Sequence, residues 1–328
     1  MLAPWLAMTF VLALAGTWLA RGYALRKQLL DRPDERRSHD TPTPRGGGIA
    51  IVVAVLPVLV LIAWRQPSHA PAFTAIGAGL LLVAAVGWLD DHRSQSPWLR
   101  LLVHAISAGL LAGALLGLGA SPAQAACGFL LALVLVNAWN FMDGIDGLAA
   151  SQALLAALAY AMFVGAGPVA WLGLSLAAAC VGFLPFNLPR ARIFLGDVGS
   201  GALGYLVAVL ASLALLDAGW RQAPLLLLPL VAFGADSGLT LARRVLRAEP
   251  WWLPHVQHAY QAWARHAGHA RVTATFFAWT VVEVAFMLAA ETASYIVIMC
   301  ITGISCLAAF GAWRCLQRSG QSVTGVEG

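Results

Sequence analysis

Residues 122–147 read PAQAACGFLLALVLVNAWNFMDGIDG, an apolar run that ends in a dense group of polar side chains. A helix that crosses a membrane needs about 20 consecutive, mostly apolar residues, and the part from 122 to 140 has this length. Asn140, Asp143 and Asp146 then follow one another at intervals of three. The stretch therefore predicts a membrane helix that carries chemically active groups at one end.

The rest of the chain has the same apolar character. Of its 328 residues, 60% are hydrophobic and 11% are charged, and the mean hydropathy is +0.77, whereas about a quarter of the residues of a soluble protein are charged. Apolar stretches of spanning length lie at about 2–20, 46–64, 72–90, 98–118, 122–140, 147–165, 168–184, 198–216, 223–242, 272–290 and 293–313. The sequence predicts an all-α, polytopic integral membrane protein with about eleven transmembrane helices. It forms a single integral membrane domain over 1–328, with a short cytoplasmic tail at 314–328.

The basic residues predict how the chain is oriented. When the connections are assigned alternately to the two sides, only Arg65 and Arg221 of the 20 Lys and Arg residues fall on one side. The side rich in Lys and Arg is cytoplasmic by the positive-inside rule, so the N-terminus is predicted outside and the C-terminus inside. The formal charge of +5 then reflects this orientation and an attraction to membrane lipids and phosphate, not to nucleic acid.

The cysteines predict neither a disulfide framework nor a zinc site. The five of them lie within apolar spans or at the end of one, without paired spacing in a loop: Cys127, Cys180, Cys300, Cys306 and Cys315. Such residues are small packing groups in a reduced or lipid setting.

Two groups of acids end predicted spans on the basic side. Asp90 and Asp91 end the third span, where adjacent carboxylates favour binding or catalysis over a merely solvated helix end. Asn140 and Asp143 lie on nearly the same helix face, and the glycines that follow let the chain turn so that Asp146 faces the same site. Oxygen donors without cysteine suit Mg²⁺, or alternatively Mn²⁺, rather than Zn²⁺.

Two further motifs lie on the same predicted side. Residues 185–201 place Asp197 where the eighth span begins, either as part of a phosphate site at a helix N-terminus or simply as an N-cap. In the loop 249–271, a spacing of three lets His255 and His258 share one helical face. There they could bind diphosphate oxygens or assist proton transfer, unless they are plain solvated histidines.

A fifth motif, residues 36–48, reads RRSHDTPTPRGGG and leads into the second span. A glycine run before a helix permits close approach of the backbone to an anion, and Arg45 adds a guanidinium fork for phosphate oxygens, although glycine and proline also occur in ordinary loops. All five motifs reach one predicted membrane face. Carboxylates, Mg²⁺-type ligands and arginine together indicate phosphoryl transfer, which depends on neutralising charge and positioning the reactants.

These motifs resemble those of the polyprenyl-phosphate N-acetylhexosamine-1-phosphate transferases, the MraY/WecA group. An Asp-Asp pair stands at Asp90, N-x-x-D-G-x-D-G starts at Asn140, and F-x-G-D-x-G-S starts at Phe194. The resemblance implies ten or eleven membrane helices and an active site on the cytoplasmic face of the bacterial inner membrane. It further implies Mg²⁺ ligands at Asn140 and Asp197. Other positions match essential acids (Asp90, Asp91 and Asp143) and the lining of a uridine pocket (Gly144, Ile145, Asp146, Asn187 and Phe194).

The resemblance also implies a reaction, in which a sugar 1-phosphate passes from a UDP-sugar to polyprenyl (undecaprenyl) phosphate and UMP is released. Asp90 would orient or deprotonate the lipid phosphate, while Arg45, His255 and His258 would stabilise charge. The segment from His255 to His258 lacks the consecutive histidines of the muramoyl-peptide branch. It is closer to WbpL-like enzymes that start O-antigen or heteropolysaccharide chains, so a UDP-linked N-acetylated hexosamine is the expected donor.

Other protein classes fit the sequence less well. A secondary transporter of an anionic substrate would place carboxylates nearer the middle of its spans, and a non-catalytic membrane scaffold would not need six acids on one face. Both a monomer and a homodimer are compatible with the sequence.

Overall fold

The structure is a computed structural model that describes residues 2–31, 42–250, 252–253 and 255–324, with side chains as far as 318. The described residues form thirteen helices: α1 (Leu2–Lys27), α2 (Ile49–Arg65), α3 (Ala70–His92), α4 (Pro97–Gly117), α5 (Pro122–Met142), α6 (Leu148–Val164), α7 (Pro168–Asn187), α8 (Gly196–Ala218), α9 (Ala223–Leu227), α10 (Val231–Leu246), α11 (Ala259–Ala267), α12 (His269–Ala289) and α13 (Tyr295–Thr324). Two short strands, β1 (Leu30–Asp31) and β2 (Thr43–Pro44), pair antiparallel with Leu30 opposite Pro44. Single 3₁₀ turns occupy Pro67–His69, Trp220–Gln222 and Leu228–Leu230.

The helices confirm the prediction of an all-α, polytopic membrane protein. Within the described residues, nine helical stretches are long and apolar enough to cross a membrane, and α2 and α6 are shorter apolar helices. One of the nine, Trp220–Leu246, is assembled from two 3₁₀ turns together with α9 and α10. Every apolar stretch predicted from the sequence coincides with a helical stretch. The total of eleven spans and the side on which each terminus lies stay predictions.

Helix α8 forms the centre of the bundle. It packs against α3, α5 and α6, and every residue from 198 to 215 is buried inside the protein. A helix that is hydrophobic on all sides is expected to be buried in this way. Because α8 begins where α3 and α5 end, its first turn lies beside the polar ends of both helices.

Glycines let the start of α2 lie directly against the start of α8. The amide of Gly47 donates to the carbonyl oxygen of Phe194 and that of Gly48 to the carbonyl oxygen of Leu195, both at 2.9 Å. A Cβ atom on Gly48 would lie 2.1 Å from Cα of Gly199. The glycine run was predicted to approach an anion, and this prediction is wrong for Gly47 and Gly48, because the group that they approach is the backbone leading into α8.

Replacing Gly48 with alanine should therefore destabilise the protein by about 1–3 kcal/mol, the usual cost of forcing extra atoms into a packed interior. Neither backbone can move away without breaking the two amide hydrogen bonds. A matched control is Gly113→Ala in α4, where, among the described residues, no atom of another helix lies within 4 Å of the added Cβ. Thermal unfolding of both purified variants tests the contact, and equal midpoints for the two variants would contradict it.

Candidate active site

The ends of three helices bring the predicted acids together. Asp90 and Asp91 are buried at the end of α3, Asn140 lies in the last turn of α5, and Asp197 lies in the first turn of α8. Asn140 Nδ2 donates to Asp197 Oδ1, and it lies 3.2 Å from Ser200 Oγ. Asp143 directly follows α5. Three motifs that are far apart in sequence therefore meet at one end of the bundle.

Asp91 occupies the N-terminus of α8. Its carboxylate accepts the backbone N–H groups of Asp197 at 3.0 Å and of Val198 at 3.2 Å, an arrangement favoured by the positive end of the helix dipole. The prediction that these free N–H groups would receive a phosphate is therefore wrong, since an acid of the protein takes them. The alternative that Asp197 is the N-cap is also wrong, because the N-cap position is Leu195.

Two arginines partly balance the acids, and only one of them, Arg45, was predicted. Arg45 Nη2 donates to the carbonyl oxygen of Asp91 at 2.6 Å, and its Nε lies 3.8 Å from Asp91 Oδ1. Arg100, in the first turn of α4, donates from Nη1 to Asp90 Oδ2 at 2.8 Å and lies 3.6 Å from Asp197 Oδ2. The other oxygen of Asp90 accepts the N–H of Gln95 at 2.5 Å.

Arg100 was missed because one arginine near the start of an apolar span is typical of the positive-inside pattern. A usable signal existed. Only four residues separate α3 from α4, so the first turn of α4 returns to the end of the bundle where Asp90 and Asp91 lie. Residues 32–41, which include Arg36, Ser38 and His39 of the predicted phosphate motif, lie outside the described residues.

The donors at this site fit a hard divalent cation in their chemistry. The cluster combines the carboxyl groups of Asp90, Asp91 and Asp197 with two guanidinium groups, so acidic side chains outnumber basic ones. Burial, followed by the charges of Asp197 and Asp91, raises the pKa of Asp143 well above its ordinary value. A cavity of about 10 Å³, lined by Arg100, His104, Asn140 and Asp197 among others, has room for roughly one water.

The described residues contain no group of three or more His, Cys, Asp or Glu side chains arranged to hold a metal. The cation ligands that the resemblance implies, Asn140 and Asp197, lie side by side. Oxygen ligands of this kind are those that Mg²⁺ uses, with water and substrate phosphates completing its shell.

The predicted uridine-pocket residues lie together and connect two loops. Asn187 Oδ1 accepts the N–H of Gly147 at 3.1 Å, and Asn187 Nδ2 donates to the carbonyl oxygen of Ile193 at 3.0 Å. Asp146 accepts the N–H of Ala191 at 3.1 Å. Asn187 and Asp146 thus hold the loop after α5 against the loop before α8. Direct recognition of uridine by these side chains stays a prediction.

The other residues predicted to line the uridine pocket lie beside Asn187 and Asp146. Ile145 is buried, and Phe194 is half-buried with its N–H donating to the carbonyl oxygen of Pro44 at 2.8 Å. A Cβ atom on Gly144 would lie 2.2 Å from the hydroxyl oxygen of Tyr260. A side chain at position 144 would therefore displace the hydroxyl group of Tyr260.

His255 and His258 lie together, although not on one helical face as predicted. His255 precedes α11 and His258 is its N-cap, and their rings stack with centroids 4.8 Å apart. The helix starts at Ala259 because the buried carboxylate of Asp236 accepts the N–H groups of Ala259 at 2.9 Å and Tyr260 at 2.7 Å. The stacked rings, not a helical repeat, bring the histidines side by side.

Both histidine rings lie beside Phe141, at the end of α5 that carries Asn140 of the acid cluster. The ring of Phe141 lies 5.9 Å from that of His258 and 6.4 Å from that of His255, between centroids. Burial, followed by electrostatic interaction with His258 and Arg244, lowers the pKa of His255 to about 4. His255 is therefore neutral at pH 7, where it can accept or donate a hydrogen bond.

Asp236 and Tyr260 are two further residues that sequence reasoning missed. Asp236 Oδ1 lies 3.5 Å from Nδ1 of the buried His258, and the Tyr260 hydroxyl donates to the carbonyl oxygen of Phe141 at 2.9 Å. Burial, with the charges of Asp236 and Asp143, raises the pKa of Tyr260 well above its ordinary value. A lone acid inside an apolar span is a functional signal that would have identified Asp236.

Replacing Arg100 with glutamine should lower the activity of this site by about 10- to 100-fold, because misplacing reacting groups by about 1 Å can cost this much. Asp90 and Asp197 would lose the cation that they share. Arg93→Gln, an exposed arginine in the neighbouring loop, is the control. Turnover at saturating substrate checks the prediction, and equal rates for the two variants would exclude Arg100 from the site.

The sequence of this chain is similar to those of known proteins. Residues 73–215 match the model of glycosyl transferase family 4, a range that contains Asp90, Asn140 and Asp197. The chain is 34% identical to the decaprenyl-phosphate N-acetylglucosaminephosphotransferase of Mycobacterium tuberculosis, in an alignment covering 64% of this chain and 60% of that protein. It is 30% identical to the same-named protein of Mycobacterium leprae over 84% of this chain and 81% of the relative.

A relative from the muramoyl-peptide branch matches as well. The phospho-N-acetylmuramoyl-pentapeptide-transferase of Heliobacterium modesticaldum is 32% identical over 61% of this chain and 70% of its own length. Because the M. leprae alignment reaches 30% identity over most of both proteins, family membership does not depend on short motifs alone. The chain therefore belongs to glycosyl transferase family 4, among the polyprenyl-phosphate N-acetylhexosamine-1-phosphate transferases.

Proposed function

We propose that this protein transfers a sugar 1-phosphate from a UDP-sugar to a polyprenyl phosphate and releases UMP. The observation that carries the proposal is the meeting of Asp90, Asp91, Asn140 and Asp197 with Arg100 at one end of the bundle. Such a cluster suits the neutralisation and positioning of phosphate groups. The names of the relatives, which are sugar-phosphate transferases acting on polyprenyl phosphates, support the same reaction.

In this reaction an oxygen of the lipid phosphate attacks the phosphorus that carries the sugar. The bond from that phosphorus to the bridging oxygen breaks, UMP leaves with the bridging oxygen, and the product is a polyprenyl diphosphate sugar. Arg45 and Arg100 are placed to offset the charge of the phosphates. Asn140 and Asp197 would hold Mg²⁺, or Mn²⁺ in its place, and the bound ion supplies further charge neutralisation for the donor diphosphate.

The structure changes the role we assign to Asp90. Both of its oxygens already accept hydrogen bonds, from Gln95 and from Arg100. A carboxylate engaged in this way holds Arg100 in place, so we assign Asp90 a positioning role instead of direct deprotonation of the lipid phosphate. His255 and His258, beside Phe141, remain the groups that we expect to contact the sugar or its phosphate.

The donor, the membrane and the pathway belong to the proposal too. We propose a UDP-linked N-acetylated hexosamine as donor and an active site on the cytoplasmic side of the bacterial inner membrane. The product would start a lipid-linked glycan such as O-antigen or a cell-wall polysaccharide. The distribution of Lys and Arg supports the orientation, and the nonconsecutive His255 and His258 support exclusion of UDP-MurNAc-pentapeptide.

Transfer of radiolabel from candidate UDP-sugars to undecaprenyl phosphate, in membranes that contain the protein, tests reaction and donor together. Labelled lipid formed from a UDP-N-acetylhexosamine and not from UDP-MurNAc-pentapeptide is the expected result. Labelling from UDP-MurNAc-pentapeptide at a similar rate would overturn the donor assignment. Absence of labelled lipid with every donor would overturn the transferase proposal.

Secondary transport of an anionic substrate is the alternative, and one observation bears on it. Glu283 is a buried acid within α12, and it accepts hydrogen bonds from Trp279 Nε1 at 2.9 Å and Ser305 Oγ at 2.8 Å. A transport site would be built around acids of this kind, whereas the clustered acids lie at helix ends. Uptake of labelled UDP-sugar into sealed vesicles without lipid labelling would favour transport.

A further inference from the structure

Residues 255–258, the histidine segment, have no regular secondary structure that would fix their conformation. Residues 255–258 are irregular, and the chain becomes helical only at Ala259. An irregular segment keeps one conformation only where other parts of the protein fix its polar groups. The contacts of Gln257, which lies between the histidines, therefore determine how His255 and His258 are presented.

Gln257 is held by the C-terminal helix. Gln317 of α13 donates from Nε2 to the backbone carbonyl oxygen of Gln257 at 2.8 Å. The other end of the same amide, Gln317 Oε1, accepts from Arg243 Nη1 at 2.6 Å, and Arg243 Nη2 donates to Gln257 Oε1 at 3.3 Å. Arg243, Gln257 and Gln317 thus close a ring of hydrogen bonds between α10, the histidine segment and α13. Gln257 Nε2 is also engaged, with Glu249 Oε2 at 3.0 Å.

A second connection joins α13 to the start of α11. Trp313 Nε1 donates to Thr240 Oγ1 at 3.0 Å, and Thr240 Oγ1 donates in turn to Asp236 Oδ1 at 3.2 Å. Asp236 is the carboxylate that starts α11 and lies beside His258. Hydrogen bonds in such a chain strengthen one another inside a protein. The histidine segment is therefore connected to α13 at two points. Gln317 contacts it at Gln257, and Trp313 is connected to it through Thr240 and Asp236 at His258.

We propose that the C-terminal half of α13, which contains Trp313 and Gln317, contributes to the active site. Gln317 is a positioning residue that acts through Gln257 on His255 and His258. This inference rests on the proposed function for its kinetic consequence, but the structural tie can be measured without any substrate. It also concerns a part of the chain outside residues 73–215, the range that the family model matches.

Gln317→Glu tests the hydrogen bond from Gln317 to the backbone of Gln257 with little change in the shape of the side chain. A glutamate keeps an oxygen for Arg243 but has no N–H to donate to the carbonyl of Gln257, and Gln317→Ala removes both contacts. In the purified full-length protein, hydrogen exchange at the backbone amides of residues 256–262 should become about fivefold faster in both variants, as expected for one lost hydrogen bond. The turnover number should fall by about tenfold while KM for the UDP-sugar changes by less than about twofold, the signature of a lost transition-state contact.

Arg318→Ala, at the exposed neighbouring position on α13, is the matched control and should behave like the unchanged protein. Unchanged exchange in both Gln317 variants would overturn the proposal, and so would faster exchange with an unchanged turnover number. If the unchanged protein labelled no lipid from any donor, the proposed function would fail. The exchange measurement would then still decide whether α13 holds the histidine segment.

Discussion

Asp197→Asn should reduce lipid-linked sugar formation by about 100- to 1,000-fold, the usual effect of removing one group that stabilises charge in a transition state. Asp197 contacts Asn140, the other proposed cation ligand, and lies 3.6 Å from Arg100. Its carboxylate therefore lies between that ligand and an arginine. Asparagine has nearly the same shape but no charge. The turnover of purified protein, measured at saturating donor and lipid, checks the prediction.

The same helix provides the control. Asp217 is exposed at the opposite end of α8, and Asp217→Asn removes one charge from that helix far from the cluster. It should leave turnover unchanged. Both variants should accumulate in the membrane in normal amounts, since the amides at the start of α8 are held by Asp91 and not by Asp197. Normal turnover by the Asp197 variant would eliminate it as a ligand for the cation.

Chelation should remove essentially all activity, and Mg²⁺ or Mn²⁺ should restore it. The site has more carboxylates than guanidinium groups, and binding of a diphosphate would add further negative charge. Oxygen-rich sites favour these cations over Zn²⁺. The measurement is initial rate after treatment with EDTA, followed by titration with each metal.

A control for nonspecific damage by the chelator is treatment with EDTA already saturated with Mg²⁺, which should have no effect. Full turnover after thorough chelation would mean that Arg45 and Arg100 alone neutralise the phosphates. The assignment of Asn140 and Asp197 would then have to be withdrawn, while family membership would stand.

The sequence predicted helices more reliably than contacts between them. An apolar run of spanning length has few alternatives to a helix in a membrane, so each predicted stretch coincides with a helical one. The polar residues Asp90, Asn140 and Asp197 were brought together correctly because each stands at the end of a span. Which atoms then pair could not be foreseen, because that depends on how neighbouring helices are rotated.

The errors share a cause. The start of α8 was predicted as an open phosphate site, but a carboxylate 106 positions earlier, that of Asp91, fills it. The histidines were placed on one helical turn, but Asp236 on another helix makes that turn begin later, at Ala259. In both cases an acid from a distant segment competes for N–H groups that local reasoning treats as free.

The complete burial of α8 bears on how the bundle is assembled. A hydrophobic segment first meets lipid when it enters the bilayer, and only afterwards exchanges those acyl chains for α3, α5 and α6. Insertion and packing are thus two separate steps for this helix, and its hydrophobicity secures only the first. A substitution that spoils its packing should leave a chain that is inserted in the normal way but exposes α8 to lipid. Quality-control proteases of the membrane would then encounter an inserted protein in which the carboxylates of α3 and α8 have not come together.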